Sequence, residues 1–338
     1  MPKKAFVIWV QEVKLSEFFA REIDAETVIS CKKYWGRFAI PVILRYIIQS
    51  FDTYKKLRKI GPQIIFVQNP PIIAVLVTYF YAKLNSASYI IDTHTAGFID
   101  RKWAFFHPLH RFLARHALWN TAHNYKNLEI LKSWGIKNSS VLQFYTPTKA
   151  EILPENVKLS LALEEKLKNH TGLKVFMVNR FAGDDAWQEV IETARLLPEA
   201  LFFLTGNDQK ISRKAKAAFP ENVILTSYLN HAEFIALMQR CDIVLALTIR
   251  RDTVLWSIRE IMALKKPFVT TDSDAIRYYF SDVALFTNHK PKDMAEKIQL
   301  AKKNQEELEK KIKVFLEKDA IRWKNDILFI NQTIDQCA

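Results

Sequence analysis

Residues 242–271 read DIVLALTIRRDTVLWSIREIMALKKPFVTT, and the fold follows from how this stretch is parsed. DIVLALT is a short, continuous apolar run, the signature of a strand buried on both faces of a parallel sheet. A polar loop, IRRDT, follows it, and residues 254–264 then carry a helical pattern with its start placed near Asp252 to Val254. PFVTT returns to a strand. The loop therefore sits at the C-terminal edge of a parallel sheet, where doubly wound folds bind their ligands.

Outward from this unit the same alternation continues. Upstream come KVFMVN, a helix over about 186–197, ALFFLTG, a helix near Arg213, NVILTS and a helix over 231–240. The first half repeats the scheme with AFVIWV, a helix from about Ser16, QIIFVQ, a helix from Pro71, SYIID, a helix over about 105–117, LWNTAH, a helix over 124–134 and SVLQF. Strands alternating with helices imply a parallel sheet covered on both faces. Between the two series, YTPTKAEILPENVKLSLALEEKLKNHTG lapses into Pro-containing and charged sequence. The expected organisation is an α/β chain of two doubly wound domains: 1–150, a linker over 151–171, 172–318, and a C-terminal helix over 319–338. Trp323, Ile327 and Ile330 give that last helix an apolar face, which makes it a candidate to pack back on the first domain.

Bulk properties narrow the class. A chain of 338 residues with 49% hydrophobic and 25% charged residues is that of an ordinary globular protein of about two domains. The three cysteines, Cys31, Cys241 and Cys337, stand far apart and outside any metal-ligand spacing, which fits a reducing, cytoplasmic compartment. The longest apolar stretch, residues 70–82, is about half of what a membrane-spanning helix needs. Residues 1–150 hold 21 Lys and Arg against 9 Asp and Glu, so nearly all of the net charge of +13 belongs to the first half. Such a surface suits nucleic acid, an anionic membrane or a phosphorylated substrate, and equally a plain solvated basic face.

With only seven glycines, the chain has neither GxGxxG nor GxxxxGK[ST], which excludes the usual dinucleotide and P-loop phosphate cradles. The best remaining candidates are Asp252 and Glu260. Eight residues apart on one helix, they lie within about 80° of each other around its axis and could accept hydrogen bonds from sugar or ribose hydroxyls. Equally, Asp252 could cap the helix while Glu260 pairs with Lys265 or Arg259 on its surface.

The stretch NVILTSYLNHAEFIALMQRCDIVLALTIRRDTVLWSIREIMALKKPFVTT resembles the C-terminal domain of glycosyltransferase family 4, the group 1 enzymes, and their GT-B relatives. Cys241-Asp242 fill the family's Ala-Asp place, Asp252 stands at the first acid of its E-x7-E motif, Glu260 at the second, and Lys266-Pro267 complete the pattern. The resemblance implies a GT-B fold, two Rossmann-like domains facing a cleft, and a nucleotide-diphosphate-sugar as donor substrate without a cofactor or metal. It gives Glu260 a ribose-binding role and Asp252 a sugar-facing one. The family's Gly after the first acid is Thr253 here, and its phosphate-clamping Arg and Lys are represented by Arg180 alone, with Asp185 at the Lys position. Arg250 or Arg251 could supply the missing charge, since a guanidinium matches phosphate geometry.

In the first half, QNPP followed by IIDTH resembles the β-mannosyltransferases that extend lipid-linked chitobiose, and DTHTAGF resembles bacterial relatives of family 4. Asp92 and His94 end a strand. A neutral imidazole at position 94 could take the acceptor-hydroxyl proton or bond the donor sugar, with Asp92 fixing its tautomer. The same pair also suits a strand-end turn and a helix cap. Glu12, after the first strand, is a second candidate base. Asp272-Ser273-Asp274 looks like a metal-holding D-x-D but follows a late strand, which points to loop chemistry near the nucleotide.

The basic aromatic stretches 32–38 and 101–106 have the composition of membrane-interface segments, or of aromatic core contacts flanked by solvated charge. The resulting expectation is a metal-independent hexosyltransferase, peripheral at the inner face of the membrane, with a glycan or lipid-diphosphate-linked acceptor and no nucleic-acid partner. A non-catalytic nucleotide-sugar-binding or scaffold protein on the same fold is the alternative. The two resemblances point to opposite anomeric outcomes, so retention or inversion stays open.

Overall fold

A computed structural model describes residues 2–10, 14–31 and 41–337. The chain forms two compact units, one comprising residues 1–145 and 321–338 and the other residues 146–320. Glu12 and the basic stretch 32–38 lie outside the described residues.

The first unit contains β1 (Lys4–Ile8), β2 (Ala25–Ile29), β3 (Ile64–Asn69), β4 (Ser88–Thr93), β5 (Trp119–Ala122) and β6 (Ser139–Val141). They form one parallel sheet in the order β2-β1-β3-β4-β5-β6. Every residue of β1 and β3 is buried, as expected of central strands covered on both faces. On one side the core gathers Val7, Val67, Ile91 and Leu113. On the other, Phe6, Phe19 and Phe66 pack edge to face, and Trp323, Ile330 and Ile334 from the end of the helix Gln305–Cys337 complete that cluster.

The second unit contains β7 (Lys174–Met177), β8 (Leu201–Leu204), β9 (Val223–Leu225), β10 (Ile243–Ala246), β11 (Phe268–Thr271) and β12 (Leu285–Thr287). Its sheet is also parallel, in the order β12-β11-β10-β7-β8-β9. The chain winds from β7 outward one way through β8 and β9, then returns to β10 on the other side. The switch point therefore falls between β7 and β10, and the crevice at their C-terminal ends is the place for a ligand.

The structure departs from the sequence reading at several places. The sequence pattern does not mark the short strands β2 and β12, both at sheet edges, because two of the five residues in AETVI are charged or polar and LFT is only three residues long. The helix Val42–Ile60 was also missed. Residues 151–171, read as a linker, hold the helix Leu161–Asn169, whose Leu163 and Leu167 join the core of the second unit. Asp252 does not open the helix that carries Glu260. That helix is Trp256–Ala263, and Asp252 lies four residues ahead of it in a left-handed turn with φ of 52°. An Asp tolerates this conformation because its short polar side chain bonds locally, which ends the shared-helix geometry assumed for the two carboxylates.

Candidate functional site

In the first unit, the C-terminal ends of β4 and β5 bring together a carboxylate and two imidazoles. The strands pair with Asp92 opposite Thr121 and Thr93 opposite Ala122, so His94 and His123 each follow one step beyond the last pair. Because side chains alternate along a strand, Asp92, His94, Thr121 and His123 emerge on one face. The Thr121 hydroxyl donates to Asp92 Oδ1 at 2.7 Å, His123 Nε2 lies 2.9 Å from the same oxygen, and His94 Nε2 is 3.4 Å from Oδ2. The two imidazole rings stand 4.1 Å apart, with Phe144 against both.

Burial works against charge on Asp92, but His123 and His94 outweigh it and hold the carboxyl well below the usual carboxylate range. Burial also pushes the His123 imidazole down, overriding the attraction of Asp92. Asp92 and His123 therefore form a coupled pair in which the carboxyl favours its ionised form while burial opposes charge on the imidazole. His94, 23% exposed at its side chain, is the member that reaches solvent. Among the described residues, Asp92, His94 and His123 are also the one group of three His, Cys, Asp or Glu near enough to share a metal ion, their donor atoms lying within 4.8 Å of one another.

In the second unit, Glu260 is 6% exposed, and its Oε1 lies 2.7 Å from His231 Nε2 at the first turn of the helix His231–Arg240. The neighbouring Arg259, buried at 1%, turns the other way, 2.9 Å from both Asp319 Oδ1 and the Thr146 hydroxyl. The pairing of Glu260 with Arg259 or Lys265 considered from sequence does not occur.

The loops after β7, β8 and β10 converge at the switch point. Gly206, after β8, has φ of 116°, and a side chain there would come within 2.7 Å of Asn179 O and 2.9 Å of Arg180 Cα, so the two loops touch backbone to backbone. Arg180 donates two hydrogen bonds to the Asp184 carboxylate, at 3.1 and 3.0 Å. Asp185, at the position where the family pattern has Lys, accepts the backbone N–H groups of Arg180 and Ala182 and so shapes the loop. Arg251, largely exposed, pairs with Asp252 at 3.2 Å, and the Thr253 hydroxyl donates to Arg251 O. Asp272 is bound by Arg277 and Ser273 caps the helix Asp274–Phe280, so the D-x-D residues serve their own loop.

His123, His231 and Asp184 escaped the sequence reading. The end of LWNTAH was a usable signal for His123, since it repeats the strand-end histidine of IIDTH one strand over. His231 and Asp184 carried none.

Two doubly wound units with a switch-point crevice in the second define the GT-B class of fold. Residues 162–315 match the family model described as glycosyl transferases group 1. HepE of Anabaena, solved in complex with UDP and glucose, superposes with a TM-score of 0.73 at 12% identity over 100% of this chain and 99% of its own. A sucrose-phosphate synthase of Thermosynechococcus elongatus gives 0.75 at 12% identity over 100% and 99%. The lipopolysaccharide outer core galactosyltransferase WaaB, in its apo form, gives 0.61 at 14% identity over 97% and 99%. No curated protein matches the chain in sequence.

Proposed function

We propose that this protein is a hexosyltransferase that moves a sugar from a nucleotide-sugar donor to a glycan or lipid-linked acceptor in the synthesis of a cell-surface polysaccharide or glycolipid. The observation that carries the proposal is Glu260, a buried carboxylate in the segment that matches the group 1 family. Its helix follows the switch-point strand β10. The fold relative HepE, seen with UDP and glucose and with UDP-glucose, supports a nucleotide-sugar as the ligand. In this reading Glu260 accepts hydrogen bonds from the ribose hydroxyls, with His231 fixing one of its oxygens. Asp252 and Thr253 face the donor sugar and diphosphate, with Arg180 and Arg251 as the nearby cations.

On the acceptor side, His94 turns its Nε2 toward Asp92, so its Nδ1 lone pair is left to take a proton from an acceptor hydroxyl or to bond the donor sugar. Asp92 sets that tautomer. Neither step calls for a metal in this scheme. Glu12 remains a candidate base.

Peripheral attachment at the inner face of a membrane belongs to the same proposal. Among the described residues no helix is long and apolar enough to cross a bilayer. Ile43, Ile47 and Phe51, at 75%, 47% and 74% exposure, form an outward apolar stripe on the helix Val42–Ile60, and Lys55 and Lys59 continue that stripe at the same spacing. Phe105, 85% exposed, follows Arg101 and Lys102.

One observation favours the alternative of a non-catalytic nucleotide-sugar-binding protein. Arg180 and Arg251 are each engaged by a carboxylate, Asp184 and Asp252, which weakens their claim on a diphosphate. A thermal-shift screen against UDP-, GDP- and ADP-sugars, followed by assay of sugar transfer or donor hydrolysis, tests both. Stabilisation with turnover supports the transferase, stabilisation without turnover supports the alternative, and no stabilisation removes both.

A further inference from the structure

A second concavity in the first unit takes no part in the chemistry above. It encloses about 480 Å³ between the end of β1, the start of the helix Val42–Ile60, the Pro70-Pro71 pair and the turn that holds Lys102 and Trp103. Among the described residues its walls are aromatic and apolar, with Trp9, Tyr46, Trp103, Val10, Val42 and the two prolines, and its charged residues are Arg45 and Lys102 with no acid among them.

Two of those wall residues hold unspent donors. Arg45 Nε and the Trp103 indole N–H are both buried and meet no hydrogen-bond acceptor among the described residues. A buried N–H without an acceptor costs about 1–3 kcal/mol, so two of them in the wall of one cavity call for an explanation. Other polar groups nearby are already committed: the Trp9 indole donates to the Thr53 hydroxyl at 2.8 Å, and the Gln49 amide donates to Ser30 O at 2.6 Å. Indole and guanidinium are donors only, and Lys102 adds a third. The partner they fit is an acceptor-only anion. A phosphate ester meets that description, and a guanidinium suits its geometry.

The walls add a second requirement. Aromatic and apolar surface next to a phosphate site favours a ligand whose phosphate is attached to something apolar. The outward stripe of Ile43, Ile47 and Phe51 starts one residue beyond Val42 in the cavity wall.

We propose that this cavity binds the phosphate ester of an amphiphile, with Arg45, Lys102 and the Trp103 indole as its donors. Within the transferase reading, on which only this last step rests, the ligand is the anionic part of a lipid-linked acceptor, and the cavity is the acceptor's docking point.

The test uses the full chain with the donor site saturated by UDP. Dodecyl phosphate below its micellar concentration is titrated calorimetrically, with dodecanol and inorganic pyrophosphate as comparisons. Dodecyl phosphate should bind at least tenfold more tightly than either. Arg45→Gln and Trp103→Phe, the latter removing the N–H while keeping a ring, should each weaken it tenfold or more. Lys102→Gln, an exposed change that cannot disturb the core, should weaken it several-fold. Equal binding of dodecanol, equal binding of pyrophosphate, or an affinity that none of the three variants changes overturns the proposal. UDP affinity, measured on the same samples, reports separately on the donor reading. UDP binding without dodecyl phosphate binding removes this inference alone, and the reverse removes the donor reading alone.

Discussion

His123 Nε2 stands 2.9 Å from Oδ1 of Asp92, across 31 residues of sequence, while His94 approaches the other oxygen of the same carboxylate from its own strand. Asp92 thus orients two imidazoles at once, and only His94 is open enough to meet a substrate.

That arrangement separates the two histidines by experiment. His94→Ala should lower the rate of sugar transfer by roughly 10²–10⁴-fold, the usual contribution of a general base, and leave nucleotide affinity unchanged. His123→Gln, which keeps a donor toward Asp92, should cost far less. Equal losses in the two variants would place the chemistry elsewhere, with Glu12 next to be tested.

The same three residues offer donor atoms to a transition metal. Chelation by EDTA should leave transfer intact if the histidines act as free bases, whereas added Zn²⁺ should inhibit by drawing both imidazoles and the carboxylate onto one ion. Inhibition should vanish in His123→Gln. Loss of activity on chelation, restored by a metal, would make the group a metal centre.

Glu260→Gln keeps the size of the side chain but removes the charge that ribose hydroxyls donate to. Hydrogen bonds to charged groups contribute about 1.5–3 kcal/mol, so UDP or GDP affinity should fall about 10- to 100-fold. His231→Ala should produce a smaller loss through a less constrained Glu260. Asp184→Ala releases Arg180 from its carboxylate and should tighten diphosphate binding, as read by the same titration.

Acid stability follows from the buried histidines. Burial, aided by the charge of His107, lowers the His110 pKa to about 3, and its ring sits 3.2 Å from the Asn69 amide and 3.3 Å from the Thr93 hydroxyl. His123 is lowered in the same direction. For a histidine held neutral in the fold, the unfolded chain binds the proton first. Stability is therefore fully present above about pH 6.5 and declines as the pH falls below it, by about 1.4 kcal/mol per pH unit for each such group. Asp92, whose folded value is depressed, adds a further loss below about pH 4. Urea midpoints measured from pH 8 to 4 should show this decline, and His110→Gln should flatten it.

Arg259 ties Thr146 and Asp319, which stand near the two ends of the second unit's chain. Removing one partner of a buried pair leaves an uncompensated charge, so Asp319→Ala should cost about 3–5 kcal/mol in urea unfolding. Breaking a surface pair such as Lys311 with Glu307 should cost far less by the same measurement, because solvent screens it.

Much of the fold was legible because buried parallel strands advertise themselves. VFM, LFF and VLA are apolar on both faces, and ten of the twelve strands in the two sheets were read from such runs. The two that escaped lie at sheet edges, where one side meets solvent and the apolar run shortens or breaks. Glu260, Asp92 and His94 were legible through strand ends and motif spacing. The relation between Asp252 and Glu260 was not: a helix pattern shows which residues share a face, but the left-handed turn at Asp252 leaves no trace in hydrophobic period.

The sequence by itself determined two α/β units, a basic first half and the strand-end positions of Asp92 and His94, because apolar periodicity and charge are local properties of the chain. Only the tertiary structure decided what each of those side chains meets: His123 against Asp92, His231 against Glu260, Asp184 against Arg180, and two donors without acceptors in the wall of one cavity. Strand register sets the first of these, the placement of helices the second and fourth, and loop conformation the third, and all depend on packing between segments that a linear pattern does not bring together.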